Sequence, residues 1–219
     1  AIRISVGSLS PTVNWKTLKE LEFVIPELEE QKRLAEILTA ADETRESYKK
    51  LLAKTDELVK SQFIEMFGDP ISNSMSLETK PMTELCEIID GDRGKNYPRE
   101  FTSEGYCLFL NAKNVTEKGF VFQDNMFIDE ERDKLLRKGK LKRGDIVLTT
   151  RGTIGNIAYY SDDIPYDNVR INSGMVIIRP DHSLIEDEFF IRQLRLLVDD
   201  IKRNIANGSA QPQLPIRVM

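Results

Sequence analysis

Histidine occurs once in this chain of 219 residues, tryptophan once and cysteine twice. The single imidazole, His182, lies in a Pro-Asp-His-Ser turn with no second histidine nearby. That excludes the usual zinc spacings and gives no histidine-centred acid–base pair. Cys86 and Cys107 are too few for a disulfide framework and lack metal-type spacing, so they read as buried, reduced thiols of a cytoplasmic protein. No apolar run approaches the roughly 18 residues that span a bilayer, so no membrane partner is expected. The opening AIRISVGS lacks the charged-then-apolar layout of a secretory signal. Also missing is a strand followed by an x-Gly-x-Gly loop that would hold S-adenosylmethionine. Asp163-Ile164-Pro165-Tyr166 faintly resembles the Asn/Asp-Pro-Pro-Tyr/Phe motif of amino-methyltransferases, but its second residue is Ile and a turn explains it better. No nuclease-type Asp…Glu-x-Lys cluster stands in a strand context. The expectation is a chain without catalytic activity, metal or cofactor of its own.

Glycine and proline are absent from residues 27–67. Within that stretch Leu34, Ile37, Ala41, Tyr48, Leu51, Thr55 and Leu58 recur at intervals of three and four, and Leu38, Leu52 and Val59 widen the stripe. The pattern predicts one helix over 27–68, about 60 Å long at 1.5 Å per residue. Pro26 and three early glutamates suit its start, and Gly68 and Pro70 its end. An apolar stripe of this length needs another helix beside it. With no second helix of matching length in the sequence, the partner is another copy or another protein; an internal docking surface is the remaining alternative. The charge is uneven. Residues 20–69 carry 13 Asp and Glu against 7 Lys and Arg, and the rest of the chain is one charge positive. The net charge of −5 therefore leaves room for local phosphate-binding patches outside the helix.

Beyond a polar linker at 69–76 the texture changes. Short β-rich runs, Cys107–Leu110, Phe120–Phe122, Asp145–Thr150, Asn156–Tyr160 and Gly174–Arg179, are punctuated by Gly, Asn and Asp. Glu188–Ile205 has helical spacing and Glu130–Lys138 is a shorter helical candidate. The fold class is α+β: a mixed, mainly antiparallel twisted sheet with helices at its side, plus the long helix, which pairs as an antiparallel coiled coil.

Three passages in order resemble the specificity subunits of type I restriction–modification systems. VIPELEEQKRLAEIL at 24–38 is similar to that family's apolar-Pro-x-x-x-x-Glu-Gln-x-x-Ile/Leu phrase through Ile25, Pro26, Glu30, Gln31 and Leu34. KRGDIVLTTRGTIGNIAYY at 142–160 looks like its target recognition domain through Gly144, Asp145, Ile146, Val147, Gly152, Ile154 and Gly155. GSLSPTV at 7–13 and GSAQPQL at 208–214 share Gly-Ser-x-x-Pro-x-apolar, as successive repeats of such a subunit would. The resemblance implies half a subunit in shifted register: residues 1–26 the tail of a preceding recognition repeat, 27–68 the spacer and dimerisation helix, 69–76 a linker and 77–219 one recognition domain. It implies a homodimer of halves reading a bipartite double-stranded DNA target, with modification (methyltransferase) subunits that use S-adenosylmethionine and a separate restriction or motor subunit as partners. The acidic helix would be their dock.

A reader of base edges needs Arg or Lys for guanine and Asn or Gln for adenine. Gly91–Arg99 supplies Arg93, Lys95, Asn96, Tyr97 and Arg99; Asn111–Asn114 supplies Asn111 and Lys113; Arg151–Asn156 supplies Arg151, Thr153 and Asn156 between small glycines; Ser209 and Gln211 close the chain. Lys134, Arg137, Lys138, Lys140, Lys142 and Arg143 form a helix-like basic run for phosphate footing. Each stretch has a plainer reading, as a solvated loop, a capped turn, a hairpin whose glycines serve positive φ, or a solvated helix face. Two rivals for the whole chain are a coiled-coil adaptor that binds no nucleic acid and a fragment of a fused methyltransferase–nuclease.

Overall fold

The computed structural model describes residues 5–6, 12–13 and 15–205. Two compact units divide the chain, Ala1–Val59 and Lys60–Met219. In the first, β1 (Ser5–Val6) pairs antiparallel with β2 (Thr12–Val13), and a short helix α1 (Trp15–Leu18) follows. The long helix α2 covers Leu28–Phe67, 40 residues. Its entry is fixed by a side chain from the motif just quoted: Gln31 Nε2 donates to the Pro26 carbonyl over 2.7 Å. Glu29 and Glu30 lie against the positive end of the helix. Gly68, at φ +79°, ends it in a conformation that a side chain would strain, its N–H reaching Ile64 O at 2.8 Å. Leu34, Ile37, Leu38, Ala41, Tyr48, Leu51, Leu52, Thr55 and Leu58 are exposed and Val59 is half-buried. The large apolar members of that stripe are between 47 % and 64 % accessible.

The second unit is a layered α+β body. A four-stranded antiparallel sheet has the order β3 (Cys86–Asp90), β11 (Met175–Pro180), β8 (Ile146–Thr149), β9 (Ile157–Tyr159). A three-stranded sheet has the order β10 (Val169–Ile171), β4 (Cys107–Leu110), β7 (Phe127–Ile128), with β10 parallel to β4. A small hairpin joins β5 (Val115–Thr116) to β6 (Gly119–Phe120). Helices α3 (Met82–Leu85), α4 (Glu130–Leu135) and α5 (Asp187–Ile205) complete it.

The central strands are apolar on both faces because both faces are covered. On β8 and β11, Ile146, Leu148, Val176 and Ile178 pack against Phe190, Ile191, Leu194 and Val198 of α5. The alternate residues Val147, Met175 and Ile177 join Leu108, Leu110, Val169 and Ile171 on the other side. Fully burying one such side chain stabilises the fold by about 1.5–3 kcal/mol. On the outer face of β4, Cys107 and Phe109 meet Ile128 and Leu136. The last turns of α2 belong to this unit: Phe63 is buried, its ring 5.4 Å from Phe189 and 5.0 Å from Phe67.

The expected strand over Phe120–Phe122 is shorter, closing at Phe120. The helix expected over 130–138 stops at Leu135, because Leu136 turns extended and its N–H closes onto Asp133 O. Gly139, at φ +82°, then turns the chain out of helical geometry. Strands β1, β2, β3, β5, β7 and β10 and the short helices α1 and α3 are additions to the sequence reading.

Candidate nucleic-acid interface

Strand direction gathers the three nominated stretches of the second unit at one edge. β3 ends at Asp90, β8 at Thr149, and antiparallel β11 begins beside both, with Met175 opposite Thr149 and Val176 opposite Asp90. β4 and β10 run parallel and finish together at Leu110 and Ile171. The loops after β3, β4, β8 and β10 therefore leave the sheets on the same side.

The turn between β10 and β11, Asn172–Ser173–Gly174, is the hub. Asn172 Oδ1 accepts the Gly174 N–H at 2.8 Å. Gly174 O accepts the N–H groups of Thr150 and Arg151 at 2.8 and 3.1 Å. Arg93 Nη2 donates to Ser173 O at 3.4 Å. Gly91 lies so close that a Cβ there would stand 2.1 Å from Asn172 O, so no other residue fits. Asn156 Nδ2 reaches across to Val115 O at 2.9 Å and ties the β8–β9 hairpin to the loop after β4. This hub was not among the residues nominated from sequence. Its signal there is the Asn-Ser-Gly turn, whose importance follows from spatial neighbours far away in the chain.

Within this frame the nominated residues fall into three groups. Arg93, Lys95, Arg99, Lys113, Arg151 and Thr153 are exposed. Among the described residues no hydrogen bond or ion pair holds the side chains of Lys95, Arg99 or Arg151, whereas Lys113 pairs with Asp124 at 2.9 Å, which raises its pKa. Asn96, Tyr97 and Asn111 are half-buried and engaged. Asn96 Nδ2 donates to Leu135 O, Tyr97 packs edge-on against Phe109 at 5.6 Å, and Asn111 caps the short 3₁₀ turn Ala112–Asn114 while donating to Asp124 O. Asn156 is buried. Ser209 and Gln211 lie outside the described residues.

The basic run at 134–143 is partly engaged by the fold, while Arg137 and Lys138 stay exposed. Lys134 pairs with Glu130, Lys140 with Asp133 and Arg137 with Asp92. Arg143 donates to Ser161 O at 2.6 Å and Ile164 O at 3.0 Å, with its guanidinium 4.3 Å from the Tyr160 ring centroid. It pins the turn that contains Asp163–Tyr166, where Tyr166 packs edge-on against Phe122 at 5.1 Å. His182 pairs with Asp187 at 2.7 Å at the start of α5. No group of three His, Cys, Asp or Glu able to hold a metal occurs among the described residues. No helix among them is long and apolar enough to cross a membrane.

Buried carboxylates anchor the edge from below. Burial pushes the pKa of Asp92 up, but the N–H groups of Arg137 and Arg93 outweigh it and hold the carboxyl below its ordinary value. Asp133 is likewise held low: burial opposes ionisation, and Lys140 and Arg170 overcome it.

The α+β body thus carries a loop edge on which Arg93, Lys95, Arg99 and Arg151 are exposed. The family model described as type I restriction modification DNA specificity domain matches residues 1–55 and 76–219, and the chain belongs to that family. It is 27 % identical over 231 residues to the type I restriction enzyme MjaIX specificity subunit of Methanocaldococcus jannaschii, covering 97 % of this chain and 52 % of that subunit. The chain thus spans about half the length of that relative. A type I restriction–modification S subunit from M. genitalium has the same fold, with TM-score 0.51 and 20 % identity over 99 % of this chain and 54 % of that one. An HsdS subunit from Thermoanaerobacter tengcongensis aligns with TM-score 0.48 and 19 % identity, over 97 % and 53 %.

Proposed function

We propose that this chain reads one half of a bipartite duplex target as the DNA-specificity component of a type I restriction–modification assembly. The observation that carries the reading is the meeting of the 91–99 and 149–156 loops at the Asn172–Gly174 turn, with the 111–116 segment tied to the latter loop through Asn156, and with Arg93, Lys95, Arg99 and Arg151 facing solvent. Cations with free donors fit guanine O6 and N7 or backbone phosphates, and their placement on glycine-punctuated turns lets the chain approach the groove closely. The half-buried Asn96, Tyr97 and Asn111 support the loops that present these side chains.

In this proposal residues 77–219 are the recognition domain and residues 27–68 the spacer. Two copies pair antiparallel through the exposed stripe of α2, so that two recognition domains read a palindromic target with a spacer of set length. Modification subunits dock on the acidic helix pair and supply S-adenosylmethionine chemistry, a motor subunit supplies cleavage, and this chain contributes recognition without catalysis. The assembly works in the cytoplasm, where the DNA is. The test is Arg93→Ala with Lys95→Ala in the assembled complex: DNA affinity falls, and the slope of log K against log salt shrinks by about 1 for each phosphate no longer neutralised. Unchanged affinity and slope remove this edge from the DNA site.

A further inference from the structure

We propose that Asp92 is a positioning residue: it locks the Arg93 loop onto the Arg137–Lys138 turn, so that two basic stretches 44 residues apart meet DNA as one surface. The inference rests on the reading of this edge as a DNA-contacting face. Asp92 is 6 % exposed, yet it sits directly before the exposed Arg93. Its Oδ1 accepts the Arg93 N–H at 2.7 Å and its Oδ2 accepts the Arg137 N–H at 2.5 Å. The Arg137 guanidinium stands 3.6 Å from Oδ1.

One carboxylate thus bridges two segments of main chain, and its geometry leaves neither free to slide. The surroundings reinforce the lock. A Cβ on Gly139 would lie 3.2 Å from Gly91 Cα, so the two turns nearly touch. Asn96 Nδ2 donates to Leu135 O and Arg132 Nη1 to Asn96 O, which adds two further ties between the same segments. Arg93 is held by its main chain at Asp92 and by its guanidinium at Ser173 O. The anion is buried and aimed at backbone N–H groups, while the side chains of Arg93, Arg137 and Lys138 stay exposed, that of Arg137 being 78 % accessible even with its guanidinium near Oδ1.

The full chain, purified with its co-expressed modification subunits, is titrated with a labelled mixed-sequence duplex across a salt series. Four proteins are compared: wild type, Asp92→Asn, Arg93→Ala and the double variant. Asp92→Asn is expected to weaken binding and lower the salt slope by about 1. Arg93→Ala, which weakens wild type, is expected to cost no more than about two-fold further in the Asp92→Asn background. An equal fold-loss in both backgrounds, or wild-type binding and slope for a folded Asp92→Asn, overturns the proposal while leaving the DNA-contacting edge intact. If Arg93→Ala, Lys95→Ala and Arg137→Ala are all silent in wild type, the edge itself is wrong and the positioning role goes with it. Amide hydrogen exchange gives an independent reading on the unmodified chain: Arg93 and Arg137 N–H are expected to exchange slowly, and to speed up selectively in Asp92→Asn with the β8 amides unchanged. Fast exchange of both in wild type overturns the lock even if the variant does not fold.

Discussion

The side-chain amide of Asn156 donates to the main-chain carbonyl of Val115 at 2.9 Å, and both residues are shielded from solvent. This bond joins the hairpin loop after β8 to the segment after β4, two of the loops proposed to read DNA. Asn156→Ala leaves the carbonyl buried without a partner and loosens both loops. It is expected to lower unfolding free energy by about 1–3 kcal/mol in denaturant titration. DNA affinity falls with it, while the preferred sequence stays the same. A variant of unchanged stability and altered sequence preference would show that Asn156 reads a base instead.

The exposed stripe of α2 is the seam through which two copies are proposed to pair. Replacing Leu51 and Leu58 by Asp puts two charges into that seam, where a paired helix would leave them without solvent. The expected outcome in sedimentation is a monomer whose circular dichroism retains its helix signal. A persistent dimer would move the pairing surface elsewhere.

Arg170 is a buried cation on β10 that holds the end of α4. It pairs with Asp133 and donates to Lys138 O at 2.7 Å and to the Asp133 and Leu136 carbonyls at 2.8 and 3.1 Å. Arg170→Met strips partners from a buried carboxylate and three carbonyls, at an expected cost of about 3–5 kcal/mol. The pH dependence follows from Asp133, whose folded pKa lies below its ordinary 3.8. Its stabilisation is complete above the unfolded value and is withdrawn as pH falls through the lower folded value. Thermal midpoints are expected to hold down to about pH 4 and then fall, and Asp133→Asn to start lower but lose less in acid.

Burial pushes the thiol of Cys86 to about 11, and burial together with neighbouring Asp133 pushes that of Cys107 to about 12. Both therefore remain protonated at pH 8, where a thiolate-directed reagent is expected to label neither in the native protein and both after denaturation. Rapid labelling of either thiol in the native state would contradict this.

Elements with a strong period were legible in advance. The glycine- and proline-free run became α2, the spaced apolar residues from Glu188 became most of α5, and Cys107–Leu110 became β4 without change. The elements that escaped lack an internal signal. β10 is the three-residue Val169–Ile171, with a charged Arg170 at its centre. That side chain is compatible with a buried strand because α4 supplies the carboxylate and carbonyls it needs. The basic run at 134–143 looked like a phosphate footing because sequence gives charge but no partner. Asp133 and the carbonyls of Ser161 and Ile164 engage Lys140 and Arg143, whereas Arg137 and Lys138 stay exposed. Asn96, Asn111 and Asn156 carry the right chemistry for adenine and also the right chemistry for capping a turn, and their backbone partners come from distant segments.

By itself the sequence determined what depends on neighbours in the chain: the length and apolar face of α2, the apolar runs of the central strands, and the absence of metal-type spacing or a cofactor loop. Family membership rests on motifs of the same kind. Tertiary structure alone decided which cations face solvent and which are consumed inside, and it made the Asn172–Gly174 turn the meeting point of the loops after β3 and β8. The reason is physical: periodicity is a short-range property of a helix or strand, whereas the partner of a buried charge and the company of a loop are set by strand order and direction, which join residues dozens of positions apart.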